Sequence, residues 1–340
     1  MARLRDSPVM QMLYAPRVMN RATDPTRLLR AAVVGAGVFG RFHAAKYKAL
    51  PGVELVGIVD RSTEAAIAAA KDLGCRPFVD TYALTGEIDL VTIATPAVGH
   101  ASAVVRLLEE GVHAYVEKPI AASLAEADRI VAAADSNGCV LQVGHQERFV
   151  FAHMGLMARK TPPKRIECHR AGPWSGRGTD VNVALDLMVH DIDLVHQIAP
   201  GDAVVTAATT RARPDSYGDE VSAELAMGGG CRVSLFASRI AEARRRFMRI
   251  EYADGTVLID FIARTIENTT PEPLTTIFSD AAGGVAADPL GYAVGDFVRC
   301  VRESAEPLVT GRDGRRALAT TLAILDAADS PATRDEAMAA

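Results

Sequence analysis

Short apolar runs alternate with longer amphipathic stretches through the first half of the chain, which predicts repeated strand–helix units. Strands are expected at AAVVGAG (31–37), VELVGIVD (53–60), near 77–80, and at LVTIATP (90–96), HAYVEKP (113–119) and CVLQVGH (139–145). Helices are expected between them at 39–50, 63–73, 99–110 and 122–137. Apolar strands each followed by a helix imply a parallel sheet covered on both sides. After about residue 148 the pattern changes. A helical stretch, KRIECHR (164–170) and a Gly/Pro/Trp loop (171–178) lead into a helix at VALDLMVHDIDLVHQI (183–198). Then β-like runs follow one another near 203–212, 219–227, 231–240, 245–252, 256–262 and 264–278, with ADGT (253–256) as a hairpin turn. Strands in series predict a mostly antiparallel sheet. Helices near 290–304 and 313–328 close the chain.

The expected fold class is therefore α/β. A parallel-sheet domain would span 30–147, and an α+β domain with a large, mostly antiparallel open sheet would span 148–330. Residues 1–29 read as a disordered extension and 331–340 as a tail. The length of 340 residues suits two domains, and an apolar fraction of 49% suits two cores. A net charge of −5 argues against a nucleic-acid or anionic-membrane binder. The five cysteines are widely spaced without CxxC, which suggests reduced thiols in a cytoplasmic protein. No apolar run approaches the roughly 18–20 residues that span a bilayer. The basic, Met-rich start is interrupted by Gln11, Pro16 and Arg17, so it lacks the core of a signal peptide.

Gly35-Ala36-Gly37-Val38-Phe39-Gly40 follows a predicted strand and opens a predicted helix. This GxGxxG arrangement permits a tight turn, lets a pyrophosphate approach the backbone, and offers it the helix N-terminus. Asp60 ends the next strand, twenty residues beyond Gly40, where a carboxylate can accept from both adenosine ribose hydroxyls. The first domain is thus expected to be a Rossmann domain. Asp60 favours NAD by repelling a 2′-phosphate, while adjacent Arg61 keeps NADP open. The second half of the nucleotide site should lie at the other strand ends, at Thr95, Pro96, Glu117 and Lys118. His100 is either a helix-start residue or a support near the nicotinamide.

In VALDLMVHDIDLVHQI, Asp186, His190, Asp193 and Gln197 recur at one-face helical spacing. The stripe is readable as a solvated face, a metal site or an active-site wall. No third ligand stands at a recognised metal spacing, so no metal is expected.

The glycine motif, ATPAVGH (94–100) with VEKPI (116–120), and DLMVH (186–190) together resemble the Gfo/Idh/MocA family of NAD(P)-dependent sugar oxidoreductases, over about residues 30–330. The resemblance implies a Rossmann domain followed by a domain whose open sheet commonly mediates oligomerisation, so a homodimer or homotetramer is expected. It implies that Lys118 lies near the reacting hydroxyl, that Pro119 is cis, and that Asp186 and His190 form the family's Asp-x-x-x-His pair. GHQERF (144–149) and HDIDL (190–194) are similar to a branch acting on nucleotide sugars, the UDP-N-acetylglucosamine and UDP-N-acetylglucosaminuronate 3-dehydrogenases. ERFVF stands here where many of that branch have ERFNP. The activity implied is oxidation of a secondary hydroxyl, with UDP-N-acetylglucosamine at C3 first among substrates. A 3-keto product suits a following transamination, as in amino-sugar synthesis for lipid A. Free sugars, inositol or a UDP-sugar uronate are alternative substrates; an NAD-dependent glycosidase and a non-catalytic nucleotide sensor are alternative functions.

Such an oxidation needs an electron acceptor, a base for the hydroxyl proton and a positive group for the developing alkoxide. His190 suits the base and Lys118 the positive group, but a desolvated lysine can exchange roles with it. Asp186 would orient the imidazole or bind a neighbouring hydroxyl. Arg148 and Phe149, at the domain junction, are candidates for the substrate cleft, with Arg148 reaching a phosphate or carboxylate or else forming an interdomain ion pair. Trp174 is a candidate for stacking on a sugar or base, although packing alone is the commoner role. Arg170 and Arg177 are weaker candidates for a diphosphate. Arg244-Arg245-Arg246 reads as a solvated face or subunit contact.

Overall fold

The computed structural model describes residues 27–176, 181–214, 216–275 and 284–329. The N-terminal extension before Arg27, Arg177, the end of the expected 264–278 run and the C-terminal tail lie outside the described residues.

The first half builds β1 (Leu29–Val34), α1 (Val38–Ala49), β2 (Val53–Val59), α2 (Thr63–Leu73), β3 (Arg76–Phe78) and β4 (Leu90–Ile93). It continues through α3 (His100–Glu109), β5 (His113–Val116), α4 (Leu124–Ser136) and β6 (Leu141–Val143). The six strands are parallel and ordered β3-β2-β1-β4-β5-β6. Order reverses between β1 and β4, the switch point where such sheets bind ligands. Val33, Ile58, Leu90, Val91, Ile93, Tyr115 and Val116 are fully buried, as apolar strands covered on both faces must be. α2 shows how local sequence sets an element. Ser62 caps its start by accepting from the Ala65 N–H at 3.2 Å, and Gly74 ends it in the left-handed region at φ 71°.

The second half contains α5 (Glu147–His153) and β7 (Arg165–Ala171), then a π-helical turn, Ala184–Met188, that continues into α6 (Val189–Ile198). β8 (Ala203–Arg211), β9 (Glu220–Met227), β10 (Arg232–Ser238), β11 (Arg245–Tyr252), β12 (Gly255–Asp260) and β13 (Thr265–Asn268) follow. α7 (Pro289–Glu303) and α8 (Gly311–Ala328) come last. The seven strands are ordered β13-β12-β11-β7-β10-β9-β8, antiparallel except for the β7–β10 pair. One face buries Ile166, Val221, Val233, Leu235, Met248 and Ile259. The other carries a half-buried ladder in which His169 stacks on Phe236 at 4.6 Å and on Phe247 at 5.4 Å.

The last two helices tie the sheets together. Phe297 of α7 packs edge-on to Tyr115 of β5 at 5.9 Å, and Asp288 before α7 pairs with Lys46 of α1 at 2.7 Å. Ahead of α8, Val309 accepts from the Val143 N–H at 3.0 Å, so this segment extends the edge of the parallel sheet. No helix among the described residues is long and apolar enough to cross a membrane.

Candidate active site

The C-terminal ends of β4 and β5, with Phe39 at the start of α1, face those of β7 and β10 across a cleft of about 810 Å³. On the first wall, the glycines divide by role. A Cβ on Gly35 (φ 111°) would stand 2.5 Å from the Ala94 carbonyl, and one on Gly40 would stand 1.8 Å from the Gly35 carbonyl. Backbone packing therefore demands both. Around Gly37 nothing lies within 4 Å of a built Cβ, and it begins α1 without a side-chain cap. Open space above free helix N–H groups is what a pyrophosphate requires.

Asp60 is held beside this turn, accepting from the Ala36 N–H at 2.8 Å and the Ser62 N–H at 2.9 Å. Val38 and Phe39 are about half exposed (58% and 48%), apolar surface where a ligand would lie. The Thr95 hydroxyl is buried without a protein partner, although Thr95 and Pro96 line the cleft. An orphaned polar group on a pocket wall fits a ligand contact. These residues fit a dinucleotide. Arg61 is exposed beside Asp60.

On the reacting wall, the Lys118–Pro119 peptide is cis. Lys118 donates through Nζ to Asp186 Oδ1 and to the Asp186 carbonyl, both at 2.8 Å. His190 is 9% exposed, its Nδ1 is buried without a partner, and it meets His145 edge-on at 5.8 Å. Burial pushes the His190 pKa well below its ordinary value; Glu147 opposes this, while Lys118, Arg170 and His145 add to it. His190 is thus a neutral imidazole at neutral pH, able to accept a proton. Asp186 therefore does not orient the imidazole, one of the two roles expected for it. The π-turn widens the helix at this point, and the carboxylate turns to Lys118.

Of the remaining stripe positions Asp193 is internal and Gln197 half-buried, and two polar neighbours, Asp191 and His196, are internal as well. α6 is buried from Val189 to His196. Asp193 takes Arg148, Asp191 takes Arg170, and His196 pairs with Thr320 at 2.8 Å.

Other expected site residues lie elsewhere. Arg148, 1% exposed, is a clamp rather than a substrate contact. Its guanidinium holds Asp193 by two bonds, Asp313 at 2.9 Å and the Leu308 carbonyl at 3.0 Å. Phe149 is core, 4% exposed. Arg170 lines the cleft, but its donors are committed to Asp191 and Glu147. His100 is 1% exposed and reaches no ligand space. Its Nε2 lies 2.7 Å from the Thr95 carbonyl and its Nδ1 3.0 Å from that of Pro119, so it packs between two cleft loops and its single N–H donates to one of them. Glu117 borders the cleft, yet one oxygen accepts from His43 Nε2 at 2.8 Å and the other from the Lys118 N–H at 3.2 Å. It therefore positions the loop that presents Lys118. Trp174 is 42% exposed and gives one face to the Arg213 guanidinium at 3.3 Å. Arg244 and Arg245 are exposed, as a solvated face expects, but the run borders the cleft: Arg244 and Arg246 stand on its wall, while Arg245 shares the open face of the sheet with Phe247.

Sequence reasoning missed His43, His145, Glu147 and Asp191. Burial works against ionising Glu147, but Arg170 and Arg246 hold it well below the usual carboxylate range. His145 and Glu147 stand within GHQERF, where the sequence singles out only Arg148 and Phe149 as site candidates. His43 lies three residues after Gly40, on the buried face of α1.

A dinucleotide cradle that faces a lysine paired to a carboxylate and a neutral histidine defines a nicotinamide-dependent oxidoreductase. The protein belongs to the Gfo/Idh/MocA family: residues 29–145 match its model, an oxidoreductase family with an NAD-binding Rossmann fold. Over 303 residues the chain is 31% identical to UDP-N-acetylglucosamine 3-dehydrogenase of Acidithiobacillus ferrooxidans, covering 87% of this chain and 96% of that one. It is 26% identical to D-apiose dehydrogenase of Paraburkholderia graminis, covering 90% and 89%. The solved structure of the Acidithiobacillus enzyme superposes with a TM-score of 0.80 over 88% of this chain and 97% of that one. The WlbA dehydrogenase of Bordetella pertussis, solved with NADH and UDP-GlcNAcA, shares the fold at TM-score 0.79 and 22% identity, over 89% and 96%.

Proposed function

We propose that this protein is an NAD-dependent dehydrogenase that oxidises a secondary hydroxyl of a nucleotide sugar, with UDP-N-acetylglucosamine at C3 as the substrate. The observation that carries the chemistry is the Lys118–Asp186 pair, with the charge of Lys118 acting on buried, neutral His190, in a cleft that Phe39 of the glycine motif also lines. The 31% identity across nearly the whole of a UDP-N-acetylglucosamine 3-dehydrogenase supports the substrate.

When bound, the nicotinamide supplies the two-electron acceptor. Lys118, its charge balanced by Asp186, donates a hydrogen bond to the reacting oxygen and stabilises its anionic character. His190 accepts the hydroxyl proton. Glu117 and His100 keep the Lys118–Pro119 loop in place. Asp60 favours NAD over NADP, since a 2′-phosphate would meet its charge. The half-buried face carrying His169, Phe236 and Phe247 is the surface through which a homodimer or homotetramer would form. A 3-keto sugar would suit a later transamination, as in amino-sugar synthesis for lipid A.

The test is NADH formation at 340 nm against UDP-N-acetylglucosamine, UDP-N-acetylglucosaminuronate, myo-inositol and free hexoses. Turnover with the first and not with the sugars lacking a nucleotide is expected. Activity confined to myo-inositol or free hexoses would overturn the substrate class.

A further inference from the structure

Seven basic side chains line the cleft against two carboxylates. Four of the seven are neutralised locally. Lys118 pairs with Asp186, Arg170 with Glu147 and Asp191, Arg239 with Asp219, and Arg246 with Glu147. Glu117 is committed to His43. Arg244, Arg245 and Arg264 remain, all exposed and without an ion-pair partner among the described residues. Arg245 shares its face of β11 with Phe247, and after burial its charge is the next cause lowering the His169 pKa. It belongs to the open face of the sheet.

Arg244 and Arg264 are left on the cleft wall. The Arg244 stem lies against Gly172, where a built Cβ would be 3.5 Å from its Cγ. Arg264 stands at φ 58°, a left-handed conformation that side chains other than glycine and asparagine rarely adopt. The turn that carries it is fixed: Asp260 Oδ1 accepts from the Ile262 and Ala263 N–H groups at 2.8 Å, and Phe261 lies under the Arg246 guanidinium at 4.9 Å. Strain retained by a fixed turn, in favour of an unpaired charge facing a cleft, is a mark of ligand contact. The cofactor's own pyrophosphate is accounted for by the glycine turn on the opposite wall. Two cations without an ion-pair partner on one cleft wall suit a second anion, and the planar guanidinium fork suits phosphate.

We propose that Arg244 and Arg264 form an anion subsite that holds the diphosphate of the nucleotide-sugar substrate, an assignment that rests on the nucleotide-sugar reading above. It orients the sugar toward Lys118 from the far wall, and it would distinguish a nucleotide sugar from a free hexose by charge.

The test is isothermal titration of UDP, and separately of inorganic pyrophosphate, into the NAD-loaded protein. Both should bind the wild type. Arg244→Ala and Arg264→Gly should each weaken UDP binding by about tenfold or more, the usual worth of a charge-assisted contact, with NAD affinity kept. Arg264→Gly should also melt no lower than the wild type, because glycine relieves the positive φ, whereas loss of a merely structural arginine would lower the melting temperature. Failure of UDP to bind the wild type, or undiminished UDP affinity in both variants, would overturn the subsite. A changed oligomer mass with unchanged UDP affinity would reassign the arginines to a subunit contact. Turnover separates the two readings. If UDP binds through these arginines but no nucleotide sugar is oxidised, the reaction is wrong and the subsite stands. If UDP-N-acetylglucosamine is oxidised with KM unchanged in both variants, the subsite is wrong and the reaction stands.

Discussion

Replacing Arg148 by methionine separates a structural clamp from a substrate contact. The guanidinium and the Asp193 carboxylate are each 1% exposed, so removing the cation strands a buried charge. Asp313, the other carboxylate, is 26% exposed and keeps its bonds to the Thr310 N–H and hydroxyl at 2.9 and 2.8 Å, so water and the capping box of α8 compensate there. The cost therefore falls on Asp193, where breaking one side of a buried pair is worth about 3–5 kcal/mol. At about 2.1 cal/mol/K of unfolding entropy per residue, 340 residues shift by roughly 1.4 °C per kcal/mol, so the melting temperature should drop by about 4–7 °C. Arg148→Met with Asp193→Leu removes both charges and should recover at least half of that loss. Differential scanning calorimetry measures the shift, and KM measured on the same samples should stay near wild type. A wild-type melting temperature combined with a raised KM would show that Arg148 reaches the ligand and that the clamp is misread.

Lys118→Met should lower kcat by roughly a hundredfold or more while NAD still binds, read by NADH formation and NAD titration. Gly37→Ala should fold with wild-type stability and lose NAD affinity, because its methyl enters open space above the helix start; Gly40→Ala should fold poorly, because its Cβ would stand 1.8 Å from a carbonyl oxygen. His145 and His190 have pKa values held below the ordinary imidazole range, chiefly by burial. Between their folded values and the unfolded value near 6.5, the unfolded chain binds more protons, so stability should be complete above about pH 6.5 and fall as pH drops below it. His145→Asn should make that slope shallower in thermal melts, and a stability that instead rises toward pH 5 would contradict the burial of neutral rings. With His190 as base, kcat/KM should stay level from about pH 8 down past 6.5 and decline only in more acid solution.

Where local chemistry decides, the elements were legible. The 63–73 helix matches α2 because Ser62 and Gly74 mark both ends. The glycine turn and Asp60 lie together because a strand–turn–helix unit leaves little freedom. The stripe in VALDLMVHDIDLVHQI was only half legible. Its spacing presupposes 3.6 residues per turn, and nothing in the composition announces the π-turn that sends Asp186 to Lys118. Asp193 looked like helix surface because its partner, Arg148, stands 45 residues earlier. The basic run at 244–246 is exposed at Arg244 and Arg245, as its charge implies, but its place beside the cleft depends on where β7 and β10 end, which is a property of the assembled sheet. GHQERF carried more than a family marker: His145 touches His190, Glu147 sits among Arg170 and Arg246, and Arg148 closes the clamp.

The most direct measurement of the central claim uses UDP-N-acetylglucosamine carrying deuterium at C3 of the sugar. Incubated with the protein and NAD, it should yield reduced nicotinamide one mass unit heavier, together with a 3-keto nucleotide sugar, whereas substrate deuterated at C4 should leave the reduced cofactor unlabelled. Label retained in the sugar, or reduced cofactor labelled only from C4, would contradict the account.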